Sequence, residues 1–246
     1  MVDTTDAASL QDFMPRLKDH LLRRITEGST PGVSGTDAGT SVPNNIGRTT
    51  ANGDRVFIKG HRMYRHHIAR FNYTTYDVRR SQDVINPGTT HRDIMLLAND
   101  GDESNTNHPF YYARVLGIYH VNVIYMEEGM QDYAPRTMEF LWVRWFEYDG
   151  NRSVAWADLK LDSVRFPPMA SEGAFGFVDP KDVLRGAHII PAFAKGKARR
   201  DGIGLSRLAK DVADWAYYRV NRYKHWATLR LYPSDENFLG LLIVIW

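Results

Sequence analysis

Apolar positions along this chain follow two different periods. In residues 9–25, "SLQDFMPRLKDHLLRRI", Leu10, Phe13, Met14, Leu17, Leu21 and Leu22 recur at three- and four-residue steps. That is the spacing of one helix face. Ser9 stands where a cap belongs, and Pro15 falls where it would disturb the first turns. Residues 27–54 are rich in Gly, Ser, Thr, Asn and Pro with almost no large apolar side chain, which reads as a flexible linker.

From Arg55 the period shortens to two. Residues 55–80 predict two strands around Lys59–Gly60 and a third extended piece, and residues 92–100 predict another strand. An acidic loop with strong turn chemistry, "DGDESNTNHP", covers 100–109. Two long aromatic strands follow, "YYARVLGIYHVNVIYM" (111–126) and "MEFLWVRWFEYD" (138–149). In the second, alternation puts Phe140, Trp142, Arg144 and Phe146 on one face and Leu141, Val143 and Trp145 on the other. Both faces are apolar, so this is a central strand covered on both sides, with Arg144 paired or at a strand end. Residues 154–166 alternate weakly before Pro167–Pro168. Residues 177–193 read as a short helix opened by Asp179–Pro180, stopped by Gly186 and followed by a strand; 206–223 reads as a helix.

Several short strands without alternating helices argue against a doubly wound α/β fold. The expected class is mainly β with flanking helices: a small, curled antiparallel barrel with a helix at each end. The expected units are an N-terminal helix (1–26), the linker (27–54), the β domain (55–200) and a C-terminal helix with an apolar tail (201–246).

Composition narrows the chemistry. A hydrophobic fraction of 43% suffices for a packed core, and a net charge of +2 leaves only local basic patches to attract polyanions. With no Cys, disulfide frameworks and Cys-ligated zinc or iron–sulfur sites are excluded. The N-terminus is acidic and polar, unlike a signal peptide. The tail "FLGLLIVIW" (238–246) is too short for a bilayer, which needs about 20 residues, so no membrane partner is expected.

The strongest candidate surface is "KGKARR" (195–200), widened by Arg207 and Lys210. Lys195, Lys197, Arg199, Arg200, Arg207 and Lys210 form a run of the kind that contacts phosphates; a solvated loop is the alternative. Aromatics of the two long strands fill a core, or cage a methylated ammonium at a barrel rim. His61, His66 and His67 lie close in sequence but lack metal-site spacing, and read as basic surface residues around a hairpin. Asp77, Asp83, Asp93, Asp100 and Asp102 are scattered, with no local sign of the convergence that a metal-dependent nuclease requires. No GxSxG elbow, P-loop or GxGxxG appears, so neither catalytic residues nor a cofactor are nominated.

"FYYARVLGIYHV" followed by "FLWVRWFEYD", with "DVLRGAHIIPAF" after them, resembles the core of bromo-adjacent homology (BAH) domains over residues 94–193. From Leu17 to Tyr218, segments such as "FNYTTYDVRRSQDVINP", "HPFYYARVLGIYHVNV" and "DWAYYRVNR" resemble a C-terminal region of proteins encoded by fungal DNA transposons, of CACTA/Plavaka-like type. The resemblance implies an SH3/BAH-like barrel attached to transposon machinery, without the catalytic core of strand transfer. In methyl-lysine-reading BAH domains Tyr111 and Trp145 would be two cage walls; the third position here is Glu147. After Arg222 the sequence departs from that pattern, as a truncated or frame-altered copy would, and a poorly docked tail is expected.

The resulting expectation is a nuclear, non-catalytic module that binds duplex DNA or a histone tail, or other transposon or chromatin proteins. The alternatives are a metal-dependent nuclease or transposase fragment, and a purely structural partner-binding domain.

Overall fold

A computed structural model describes residues 12–28, 55–74, 80–98, 108–127, 133–149 and 161–221, and the backbone of 243–245. The expected linker and acidic loop lie almost wholly outside the described residues, as do Ser9, Leu10, Asp77, Asp100 and Asp102. Among the described residues, no helix is long and apolar enough to cross a membrane.

The chain opens with α1 (Phe13–Gly28), then β1 (Val56–His66), β2 (Ala69–Thr74), β3 (Arg80–Ile85), β4 (Asp93–Leu97), β5 (Phe110–Tyr125) and β6 (Arg136–Trp145). After these come β7 (Glu147–Tyr148), β8 (Ser163–Arg165), β9 (Phe175–Val178), β10 (Val183–Gly186), β11 (Ile189–Pro191), β12 (Tyr218–Val220) and β13 (Ile243–Ile245). The strands form three antiparallel sheets, ordered β10-β4-β5-β6-β9 with β1 also on β5, β11-β12-β8-β7, and β13-β2-β3. The fold is therefore mainly β and antiparallel, but no sheet closes into a barrel among the described residues.

The long strand β5 explains the open architecture. One edge runs along β6 from Ala113↔Trp145 to Val123↔Arg136. The other edge is divided: β4 pairs its first residues and β1 its last. The central sheet is then buried on both faces by other elements, which meets the need that closure would otherwise meet. On one face Leu141, Val143, Trp145, Val115 and Ile118 pack with Ala69, Phe71 and Ile85 of the β2–β3 sheet. On the other, Leu17, Leu21 and Ile25 of α1 pack on Val121, Val123 and Phe140. Farther along that face Phe110, Tyr112 and Phe146 meet Val164, Tyr218 and Val220 of the small sheet. The two-faced burial expected of β6 is what the structure has.

Three local expectations are corrected. Residues 56–66 are one strand with a bulge, and not a hairpin at Lys59–Gly60. The register passes from Ile58↔Val123 to Met63↔Val121, and Gly60 and His61 take positive φ (64° and 52°). Positive φ is cheap at glycine, but both halves remain on β5, so the chain does not reverse. The short helix expected after Asp179–Pro180 is only a 3-10 turn, Pro180–Asp182, capped by the Asp179 side chain and followed by β10.

Of the helix expected over 206–223, the described residues 206–221 form instead a loop, the 3-10 turn Asp211–Ala213, and β12. Side chains there compete for the backbone: Asp211 accepts from the Leu205 and Ser206 amides, and Ser206 Oγ from the Ala209 amide. β12 lies between β11 and β8, so Tyr218–Val220 pair with strands from the 55–200 span. The tail also departs from expectation: the backbone of β13 pairs with β2, Ile243 opposite Phe71.

Candidate nucleic-acid interface

The basic run lies on a loop pinned at its neck and seated on the central sheet. Ala192 donates to the Tyr217 carbonyl, Ala216 to Gly196 and Ala198 to Asp214, at 2.9, 3.0 and 3.0 Å. Lys197 bridges to Trp215 across this neck. Inside the loop, Asp211 is buried and holds the Leu205 and Ser206 amides at 2.9 Å. A Cβ at Gly204 would lie 2.5 Å from Val212 Cγ2 and 3.0 Å from Asp211 Oδ1, so glycine is what lets the chain pass this close. Ala209 turns inward against Leu116, Trp142 and Met169.

Asp214 anchors the loop base. Its side chain is only 4% exposed; Oδ2 accepts from Arg144 of β6 at 2.5 Å, and Oδ1 from Arg114 of β5 at 3.4 Å and the Tyr218 hydroxyl at 3.2 Å. Arg114 also grips Asp93 of β4 through two bonds, at 2.7 and 3.1 Å. The Phe166 ring lies 4.0 Å from the Arg144 guanidinium and 4.9 Å from that of Arg114. Burial holds the Asp214 carboxyl above the ordinary Asp range, against the opposing pull of Arg144 and Arg114. Burial acts to lower Arg114, but Asp93, Tyr218 and Asp214 outweigh it and hold the guanidinium above its usual value.

On this frame Lys195, Lys197, Arg200, Arg207 and Lys210 are exposed and Arg199 is half-buried. Arg199 Nε lies 3.7 Å from Asp211 Oδ2, and Lys210 Nζ donates to the Pro87 carbonyl at 3.3 Å. Between Lys195 and Lys210 there are six basic residues against the single acid Asp201. This excess exceeds the +2 of the whole chain, so the remainder is net acidic; residues 55–70, with five basic side chains and no acid, are a second basic stretch.

Tyr111 and Trp145 do come together, edge to face with centroids 6.4 Å apart. Trp145, however, is 7% exposed and packed in the main core, so it offers no open ring face for a methylammonium group. The geometry is the core packing that the strand alternation favours. Among the histidines, His66 Nε2 meets His120 Nδ1 at 2.6 Å, with Tyr64 stacked on His120 at 4.7 Å. Among the described residues no three His, Cys, Asp or Glu side chains converge as metal ligands must. Of the scattered acids, Asp93 is bound to Arg114, while Asp83 takes Arg185 and the Gly186 amide.

Sequence reasoning missed Asp211, whose amide partners are local, and Asp214, whose arginine partners lie 70 and 100 residues away. It also missed Phe193, which stands two residues before Lys195; an aromatic beside a basic run is a readable signal. A third omission is a chain of Asp162, His108 and Tyr148, with His108 Nε2 3.1 Å from Asp162 Oδ2 and the Tyr148 hydroxyl against His108 Nδ1. That hydroxyl also donates to the Phe110 carbonyl at 3.0 Å, so the cluster ties β7 to the start of β5. Comparison with known protein families, curated proteins and solved structures gives no match.

Proposed function

We propose that this chain is a non-catalytic nucleic-acid-interaction module working on chromatin in the nucleus. Its β body is read as BAH-like in type and derived from a transposon-encoded protein, on the strength of the strand motifs set out above. The observation that carries the binding reading is the basic loop: exposed cations concentrated on a segment fixed by buried carboxylates, within a chain otherwise net acidic. Cations gain affinity for phosphate by displacing condensed counterions, a gain that depends on salt and hardly on sequence. Fixing the loop before binding reduces the ordering cost.

The test is an electrophoretic mobility shift with duplex DNA at low and high salt. Replacing Lys195, Lys197 and Arg200 by Ala should weaken binding and flatten the dependence of log K on log salt by about 0.9 for each phosphate no longer neutralised. Arg199 and Lys210 are kept because each also holds the loop to its frame, through Asp211 and the Pro87 carbonyl. Unchanged affinity and slope would remove the assignment.

A further inference from the structure

The neck of the basic loop carries an aromatic pair that electrostatics does not use. Phe193 opens the 3-10 turn Phe193–Lys195 and is 64% exposed, among the most exposed large apolar side chains in the described structure. It is not a loose side chain: its ring stands edge to face on Trp215, centroids 4.8 Å apart and planes at 82°. Trp215 is half-buried and doubly fixed, because its amide donates to the Tyr218 hydroxyl at 3.0 Å and its backbone bridges to Lys197. Lys195 and Lys197, both exposed, follow Phe193 by two and four residues.

A supported, solvent-facing ring flanked by cations suits a stacked base whose phosphates lie on the lysines. Such stacking needs an unpaired base, since in a duplex both base faces are already covered. We propose that Phe193, backed by Trp215, is a stacking platform that makes the basic loop prefer single-stranded over duplex nucleic acid. This rests on the nucleic-acid reading of the loop and names the form it takes.

The probes are a fluorescent oligothymidine and a duplex of the same length, titrated by anisotropy with the full chain. The wild type should bind the single strand more tightly. Phe193→Ala should reduce single-strand affinity about tenfold or more while leaving duplex affinity nearly unchanged, and Phe193→Tyr, which keeps a ring, should restore it. Replacing Lys195 and Lys197 by Ala should weaken both probes. Phe193 is mostly exposed, so its Ala variant should keep the wild-type melting temperature. Loss of both probes in the lysine variant, with Phe193→Ala unchanged or affecting both equally, would overturn the platform and leave the basic-loop reading standing. Failure of the wild type to bind either probe would overturn both.

Discussion

Replacing Asp214 by Ala tests whether the basic loop is held by a buried ionic anchor. The variant keeps Arg114 paired, because Asp93 still accepts two of its hydrogen bonds. Arg144 loses its carboxylate partner at 2.5 Å and keeps the Phe166 ring, inside a site where its side chain is only 6% exposed. An uncompensated buried guanidinium of this kind costs about 3–5 kcal/mol. In a chain of this size each kcal/mol moves Tm by about 2–4 °C, so the fall should be about 6–20 °C. Urea and thermal unfolding measure it. The control is the double variant Arg144→Met with Asp214→Leu, which removes both charges and should recover most of the loss, since hydrophobic replacements of buried pairs are often neutral. A single-variant cost below about 1 kcal/mol, or a double variant as unstable as the single, would refute the anchor.

Two further outcomes follow from α1 and from the tail. His20 is buried beside Phe177, and burial, reinforced by the charges of Arg24 and Arg23, lowers its pKa to about 3. The fold holds it neutral while the unfolded chain protonates near 6.5, so stability is complete above that value and is lost as pH falls toward 3. Going from pH 7 to pH 5 should cost about 2 kcal/mol from this residue. His20→Leu should remove that part of the urea-midpoint shift, and an identical shift in both proteins would exclude the assignment. Deleting residues 233–246 strips β13 from β2, whose Ala69 and Phe71 are fully buried, and should lower Tm by several degrees; an unchanged Tm would mean that the pairing contributes nothing.

What the sequence disclosed depended on the range of the interaction. Leu17 and Leu21 of α1, and the alternating faces of β6, were readable because local periodicity alone decides which side is buried. That Arg144 is paired or at a strand end also followed from strand position, but its partner lies 70 residues away and nothing in spacing points to Asp214. The same absence produced the false C-terminal helix. Spacing between 206 and 223 suits a helix, yet Ser206, Asp211 and Asp214 engage their side chains with backbone amides and distant arginines. No barrel closes among the described residues, and strand signals do not say how strands divide an edge: β5 gives one edge to both β4 and β1. The basic loop was legible by composition, whereas the exposure of Phe193 on Trp215 required the neck pairing to be seen.

The buried charges and the exposed ones have opposite consequences for the same loop. Exposed cations on one segment repel each other, and a free loop would relieve this by spreading. Here the spread is opposed by two carboxylates on the inner side, Asp211 within the loop and Asp214 at its base. Buried ion pairs contribute little net stability compared with apolar replacements, so their value at this position is geometric. On the proposed reading they fix where the cations stand before a polyanion arrives, which would lower the ordering cost of binding. The double variant Arg144→Met with Asp214→Leu would then keep most of the stability and lose the registration between neck and sheet. In the mobility-shift assay it should bind duplex DNA more weakly than the wild type while its charge on the loop is unchanged. Wild-type affinity in that variant would show that the ion pair supports the fold alone. Retained stability with weakened binding would make Arg144 and Asp214 positioning groups for the loop.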